Sequence, residues 1–335
     1  MSLRTPGLAI EIAVSNMDLY PYDLPGRPDW SANLEELVPF LEQTGCRNFE
    51  VHPTRAIVED VKRRQANGDV ELLDQTVGST HQTFNEGDGL FGRVADRRGL
   101  RRSLESVPGM VAIHSALGRR APAVGYAEES PITRLPSHPV RVQPDYPGAF
   151  PVVQPKSRTY RHFYVATSDD LLVCLQANGV LGFCPDTIHS RSKQDGVAPP
   201  PIEKVWPAYF QSGATYQMHV SSGRYDLKSA DPETAARSMA EDAAFTGWDW
   251  RQAAATEMGA MIVAAIENYV PPADWAKEVG GPVLRMVIER TPRPAALLRS
   301  SGDHARFVAN LVEIVRETGA TPLVWGDALP IQQIN

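Results

Sequence analysis

One feature constrains this 335-residue chain more than any other: short runs rich in β-branched and aromatic residues alternate with stretches whose apolar residues have helical spacing. The candidate strands are residues 8–15, 48–53, 77–84, 110–115, 150–155, 182–189, 216–221 and 284–290. Most neighbours stand roughly 30 to 40 residues apart, which is the length that a strand, a helix and two loops require. Such alternation is the mark of parallel βα units, and about eight of them close into a (β/α)8 TIM barrel. Barrels of this kind routinely run to this length as one core, so a single domain over residues 1–335 is expected.

Several helices can be read directly. Residues 33–43 carry Leu34, Leu37, Phe40 and Leu41 at helical spacing, and residues 304–318 repeat the pattern with Phe307, Leu311 and Ile314. Gly45 and Gly319 follow as natural stops. A further helix is expected at 167–179, ending in Asn-Gly. Between Gly118 and Gly148, Pro and Gly interrupt every apolar period, so the fourth βα segment is expected to be irregular. Residues 231–269 are rich in Ala, Met and Glu and read as one or two long helices around Gly247. This long helical insertion after the seventh strand is expected to cover the mouth or to build an oligomer contact. Trp206, Trp248, Trp250 and Trp275 read as packing residues.

Composition excludes several classes of function. Hydrophobic residues at 42% and charged residues at 22% provide for a buried core rather than a disordered chain. With 33 basic and 40 acidic residues the formal charge is -7, which repels phosphate backbones. The cluster Arg97, Arg98, Arg101 and Arg102 reads as a solvated helix face. Nucleic acid is therefore not an expected partner. Cys46, Cys174 and Cys184 are widely spaced and form no C-x-x-C pair, and the first residues lack the apolar core of an export signal, so the cytoplasm is the expected location. The most apolar stretch, residues 258–266, is too short to span a bilayer, so no membrane association is expected.

In a parallel barrel the strand C-termini converge on one mouth, so polar residues at those ends share a site although they are distant in sequence. The expected strand ends carry Glu50 and His52, His81, His114, Gln154, Asp186 and His189, His219, and Glu289. Gly-Asp-Gly-Leu-Phe-Gly near Gly87 is only a loose likeness of a phosphate loop.

Three of these ends resemble the xylose-isomerase-like superfamily of sugar isomerases, ketose epimerases, inosose dehydratases and endonuclease IV. In Phe-Cys-Pro-Asp-Thr-Ile-His, Asp186 and His189 resemble its sixth-strand D-x-x-H; in Tyr-Gln-Met-His-Val-Ser-Ser-Gly-Arg, His219 and Arg224 resemble a metal ligand and a substrate-binding arginine; in Val-Ile-Glu-Arg, Glu289 stands where the family has its eighth-strand glutamate. The fifth strand departs from the pattern: Val-Val-Gln-Pro-Lys puts Gln154 in place of a glutamate.

The resemblance implies a divalent metal (Mn, Mg, Co or Zn) held by Gln154, Asp186, His219 and Glu289. It also implies catalytic roles for Glu289 and His189, and substrate contacts from His81, His114 and Arg224. Gln154 offers one amide oxygen but neither charge nor basicity, so the two-base epimerisation of the family lacks one base. The expected function is a metal-dependent sugar isomerase, epimerase or dehydratase acting on a small polyhydroxylated carbonyl substrate, as a monomer or homo-oligomer. Two alternatives stay open: an endonuclease IV-like phosphodiester hydrolase, and a metabolite-binding barrel without catalysis that has lost its metal glutamate at Gln154.

Overall fold

The computed structural model describes residues 5–16, 33–81, 88–89, 92–93, 106–126, 148–154, 182–191, 202–223, 232–291 and 301–326. The expected 167–179 helix, the arginines at 97, 98, 101 and 102, and Arg224 lie outside the described residues.

The strands in chain order are β1 (Ala9–Ser15), β2 (Phe49–Val51), β3 (Val77–His81), a short antiparallel pair β4 (Asp88–Gly89) and β5 (Gly92–Arg93), then β6 (Ala121–Tyr126), β7 (Ala149–Gln154), β8 (Gly182–Phe183), β9 (Gln217–Gly223), β10 (Val283–Thr291) and β11 (Thr321–Leu323). Parallel pairing runs in the order β8, β7, β6, β3, β2, β1, β10, β9. The two ends of this path meet. Main-chain bridges join Phe183 to Thr215 and Asp186 to His219, with His219 N donating to Pro185 O at 2.9 Å and Phe183 N donating to Ala214 O at 2.8 Å. The sheet is thus a closed α/β barrel of the TIM type, and β11 adds beside the first half of β1. At the closure Gly182 is required by space, because a Cβ there would lie 2.3 Å from the Ala214 carbonyl oxygen.

Alternation along each strand separates two environments. Ile10, Ile12 and Val14 of β1, Met218 and Val220 of β9, and Leu284, Met286 and Ile288 of β10 join the apolar layer between sheet and helices. The alternate residues face inward and are largely polar. At the N-terminal end of the barrel, Glu11 and Arg285 are opposite one another in register and form a buried ion pair through Arg285 Nη1, with Asn48 Nδ2 donating to the same Glu11 oxygen and Arg285 Nε and Nη2 making no hydrogen bond. Removing either charge would leave the other buried without compensation. Gly78 makes room for this pair: a Cβ on it would fall 1.9 Å from Arg285 Nη1.

The helices form the outer layer. Helix α1 (Leu34–Thr44) starts with a reciprocal capping box between Asn33 and Glu36 and stops at Gly45, whose φ of 79° suits a residue without a side chain. Helices α2 (Arg55–Asn67), α3 (Glu71–Thr76) and α4 (Ser106–Ala116) follow. Residues 110–115, expected as the fourth strand, belong to α4, and the fourth barrel strand is β6. A short apolar run looks alike in a buried helix and a buried strand. Here Met110 and Ile113, three apart, bury one helical face, whereas two alanines, Pro122 and Gly125 give β6 little β propensity to betray it.

Helix α5 (Ile202–Gln211) precedes β9, and the expected insertion after β9 is α6 (Pro232–Phe245), α7 (Trp250–Ala254), α8 (Glu257–Asn268) and α9 (Ala273–Glu278). Its described residues build the outer wall rather than a cover. Trp206 Nε1 of α5 donates to Met261 O of α8 at 2.8 Å, and Phe245 stacks on Phe307 of α10 (Ser301–Glu317) with ring centroids 4.7 Å apart. Two bidentate ion pairs tie α6 to the strand ends: Arg191 to Glu241 at 2.7 and 2.8 Å, and Arg290 to Asp242 at 2.6 and 2.9 Å. Trp206 and Trp275 are core residues as expected, but Trp248 is 90% exposed, lying against Arg306. No helix among the described residues is long and apolar enough to cross a membrane.

Gly78→Ala is expected to lose about 1–3 kcal/mol of stability in urea unfolding, because the added methyl displaces a buried ion pair with no space to yield. Gly281→Ala, where a Cβ meets nothing within 4 Å, is the control and should change stability by less than about 0.5 kcal/mol. Equal stability of the two variants would contradict the packing described for the barrel floor.

Candidate functional site

His219, on β9, is the centre of the polar mouth and is fully buried. Its register partner across the closure is Asp186, and Val287 of β10 is its neighbour on the other side. Period-two alternation therefore aims Gln217, His219 and Ser221 of β9 and Glu289 of β10 into one space. Around the imidazole, Nε2 lies 3.1 Å from Glu50 Oε1, while Nδ1 lies 3.4 Å from Glu289 Oε2 and 3.7 Å from Asp186 Oδ2. Gln154, at the end of β7, places Nε2 3.0 Å from His219 Nδ1 and 3.2 Å from Asp186 Oδ2.

Each carboxylate is held by neighbouring strands. Asp186 accepts at Oδ1 from the backbone N–H groups of Ile188 (2.7 Å) and His189 (2.8 Å), and at Oδ2 from Ser221 Oγ (2.6 Å) as well as Gln154. This is why the D-x-x-H segment turns sharply after β8: the aspartate caps its own loop. Ser221 Oγ also lies 3.4 Å from Glu289 Oε2. Glu50 accepts from Ser79 Oγ at 3.3 Å and from Gln217 Nε2. On the β2 and β3 side, the His81 ring stands 5.3 Å from that of His219 and 4.6 Å from that of His52. Asn16 fixes the His52 backbone, accepting from its N–H at 2.8 Å and donating to its carbonyl at 3.2 Å.

Electrostatically the site is an excess of buried negative charge around one ring. Burial pushes Glu50 upward, yet His219 and His81 overcome it and hold the carboxyl well below the usual range. Burial likewise opposes ionisation of Asp186, but His189, His219 and the Ser221 hydroxyl hold it low. Burial would neutralise His219, and the surrounding anions, Glu289 and Glu50 among them, raise it well above its ordinary value instead. Burial, with His81 beside it, lowers His52. Among the described residues no Lys or Arg forms a salt bridge with Glu50, Asp186 or Glu289, and Arg285 is engaged by Glu11.

This donor set fits a divalent cation. Glu50, His81, His219 and Glu289 bring one ligand atom each within 4.8 Å of one another, which is a possible metal-binding cluster. A second set surrounds Nδ1 of His219: Asp186, Glu289 and Gln154. Gln154 Oε1 is buried without a hydrogen-bond partner, and a half-turn of the amide exchanges it for the Nε2 that now points between Asp186 and His219. An amide oxygen would then stand near His219 Nδ1 together with oxygens of Asp186 and Glu289, ligand types suited to Mn, Mg, Co or Zn.

The structure thus brings together Gln154, Asp186, His219 and Glu289, with His81 beside them, and sets the backbone of His189 against Asp186. His114 is not at the mouth. It lies in α4, its Nδ1 paired with Gly148 O at 3.2 Å and its Nε2 with Thr80 Oγ1 at 2.8 Å, so it ties the wall together behind β3 rather than contacting a substrate. Glu50 is more central than its sequence suggests. It stands two residues before His52 on one inward face, and that period was the available signal.

Burial lowers the pKa of His114 to about 4, so the folded protein holds it neutral. As pH falls below about 6.5 the unfolded chain takes up a proton that the native state refuses, and stability is lost progressively down to the folded value. Urea unfolding at pH 7 and pH 5 is expected to show a smaller acid-induced loss in His114→Gln than in the wild type. The same loss in both would place the acid sensitivity elsewhere.

No protein-family model matches the chain, and no curated protein matches it in sequence. Among solved structures it is similar to the 3-keto-D-glucoside 4-epimerase YcjR of E. coli in its apo form, with 13% identity over 92% of this chain and 99% of that one and a TM-score of 0.47. It is similar also to a xylose isomerase domain protein of Alicyclobacillus acidocaldarius, with 13% identity over 93% of this chain and 100% of that one and a TM-score of 0.45. A third likeness is to a xylose isomerase-like TIM barrel/4-hydroxyphenylpyruvate dioxygenase fusion protein, with 11% identity over 92% of this chain and 43% of that one and a TM-score of 0.45. The barrel itself rests on this chain's own strand pairing, and its chemistry has to come from its own side chains.

Proposed function

We propose that this barrel is a divalent-cation-dependent enzyme that moves a proton on the carbon next to a carbonyl of a small polyhydroxylated substrate, as aldose–ketose isomerases and sugar dehydratases do. The observation that carries this reading is the gathering of Glu50, Asp186 and Glu289 around His219 with no described Lys or Arg to pair them. A buried anionic cluster of this kind is costly unless a cation offsets it. Gln154, Asp186, His219 and Glu289 would hold that cation. When bound, it supplies a Lewis acid for the substrate carbonyl.

Glu289 is the carboxylate of the cluster open to the mouth, with 23% of its side chain exposed against 0–1% for Glu50 and Asp186. It is placed to receive the proton from the substrate carbon. Ser221 Oγ at 3.4 Å orients it. His189, anchored through its N–H to Asp186, and His81 offer polar contacts to substrate hydroxyls, and Arg224 is proposed to join them. Gln154 cannot act as a base, so a single-base transfer is favoured over an epimerisation that needs a carboxylate on each face. A free small molecule, not nucleic acid, is the proposed partner.

The activity test is proton exchange. Mn-loaded protein incubated with a panel of aldoses, ketoses and inososes in D2O should incorporate deuterium at carbon next to the carbonyl, read by mass spectrometry. Glu289→Gln should lose this by about a hundredfold or more, the scale of a positioned base. No incorporation in any substrate, with metal bound, would sink the reaction.

The second test concerns Gln154. Calorimetric titration of chelator-treated protein with MnCl2 should show one site, and Gln154→Glu should tighten it by roughly tenfold or more, since an added carboxylate at ligand distance from a divalent ion contributes about 1.4 kcal/mol or more even when screened. Equal affinities would put Gln154 outside the ligand shell, and absence of binding in both would remove the metal from this reading.

A further inference from the structure

The closure that sets Asp186 against His219 is short. Strand β8 pairs with β7 through Gly182 and Phe183, whereas β9 and β10 stay in register from Gln217 and Arg285 to Gly223 and Thr291. The long ladder fixes Ser221 opposite Glu289, but Asp186 lies beyond the end of β8 and needs another hold. Main-chain bonds carry the closure as far as Thr187: His219 N donates to Pro185 O at 2.9 Å, and Thr187 N donates to His219 O at 3.1 Å. In a parallel ladder the next bonds would run from Ser221 N to the Thr187 carbonyl and from His189 N to Ser221 O. The chain turns before it can make them, and His189 N donates to Asp186 Oδ1 instead. The Thr187 hydroxyl takes both places. Its Oγ1 accepts from Ser221 N at 2.9 Å and donates to Ser221 O at 3.1 Å.

We infer that Thr187 is a positioning residue: its hydroxyl extends the pairing of β8 with β9 by one step past the D-x-x-H turn and so fixes Asp186 against Ser221 and Glu289. This role rests on the metal-dependent reading above and deepens it. Three observations carry it. First, Thr187 and Ser221 are both buried, so without the hydroxyl the N–H and carbonyl of Ser221 would stand unpaired in the interior. Second, the Thr187 carbonyl, released from the ladder, accepts from Arg191 Nε at 2.6 Å, and Glu241 of α6 holds the other two nitrogens of that guanidinium at 2.7 and 2.8 Å. Glu241 in turn accepts from Met258 N of α8 at 2.9 Å, so the turn is tied to two helices of the outer wall. Third, the Ser221 side chain reaches both carboxylates: its Oγ donates to Asp186 Oδ2 at 2.6 Å and lies 3.4 Å from Glu289 Oε2. Moving Ser221 away from Thr187 therefore changes the spacing of two groups proposed to hold the cation. Of the side chains that fit this space, a hydroxyl both accepts and donates, and a methyl of the same size does neither.

The test titrates the full chain with MnCl2 and compares Thr187→Val, which keeps the shape and loses the hydroxyl, with Thr187→Ser, which keeps the hydroxyl. Thr187→Val should weaken Mn2+ binding by roughly tenfold or more, the scale of groups that orient a ligand, and Thr187→Ser should stay within about threefold of the wild type. Urea unfolding of the same proteins separates positioning from plain stability. A Thr187→Val protein with a lower unfolding midpoint but wild-type affinity would overturn the inference, as would equal weakening in both variants. Arg191→Lys keeps the charge beside Glu241 but not the bond to the Thr187 carbonyl, and it stands in should Thr187→Val fold poorly. It should lower affinity by roughly two- to tenfold, and wild-type affinity there would also overturn the inference. If wild-type protein takes up no Mn2+, the metal reading fails by itself, and amide exchange in the metal-free proteins decides the positioning role. The Ser221 N–H should then exchange at least about tenfold faster in Thr187→Val or Arg191→Lys than in the wild type, with the β10 amides at wild-type rates. An unchanged rate at Ser221, or a loss of protection shared by all of β10, overturns it.

Discussion

A main-chain bridge between Asp186 and His219 closes the sheet, and the rest of the molecule depends on it. Without it and its companion bridge from Phe183 to Thr215, β8 and β9 would be the free edges of an open sheet, and unpaired edges invite association with other chains. The same bridge sets the two side chains in register at the mouth, where His219 lies 3.7 Å from Asp186. Closure and site assembly are therefore one event. Gly182 permits the close approach, and the D-x-x-H turn, capped by the aspartate itself, carries the chain away without breaking the pairing.

Polarity inside the barrel is arranged in depth. At the floor Glu11 and Arg285 form a buried ion pair that offsets its own charge. At the mouth, Glu50, Asp186 and Glu289 surround one imidazole, and the charge is left for something else to offset. Between the two, Gln217 reaches Glu50 and Cys184, so that the lower end of the site is held by neutral groups. Burial pushes the Cys184 thiol up to about 11, which keeps a further negative charge out of this region. Outside the sheet, the ion pairs from Arg191 and Arg290 to α6 anchor the ends of the strands that carry Asp186 and Glu289. The helical segment after β9 thus serves the geometry of the mouth through its wall.

Much of this was legible from local pattern. Strands that alternate inward polar and outward apolar residues, such as β1, β9 and β10, declare both their existence and their facing, because period two is a property of the residue order. Helix α1 declares its start by Asn33 and Glu36 and its end by Gly45. The fourth strand was misplaced because its local chemistry argues against it. Pro122 and the alanines of β6 form a strand only through pairing with β3 and β7, while the more strand-like run at 110–115 buries its apolar residues as a helix. His114 went with it, from the mouth to a structural role between Thr80 and Gly148.

The order of residues by itself determined the alternating architecture and most of the side chains that stand at strand ends, His114 excepted, since both follow from short-range periodicity and from the direction of parallel strands. It also determined that an amide, Gln154, ends the strand read at residues 150–155. Which of those ends meet, and in what role, was decided only by the tertiary structure. Glu50 and His219 are 169 positions apart, and nothing local links them. Their pairing comes from the curvature that brings β2 across the barrel from β9, and the direction of each His219 nitrogen comes from the groups that this curvature places around the ring.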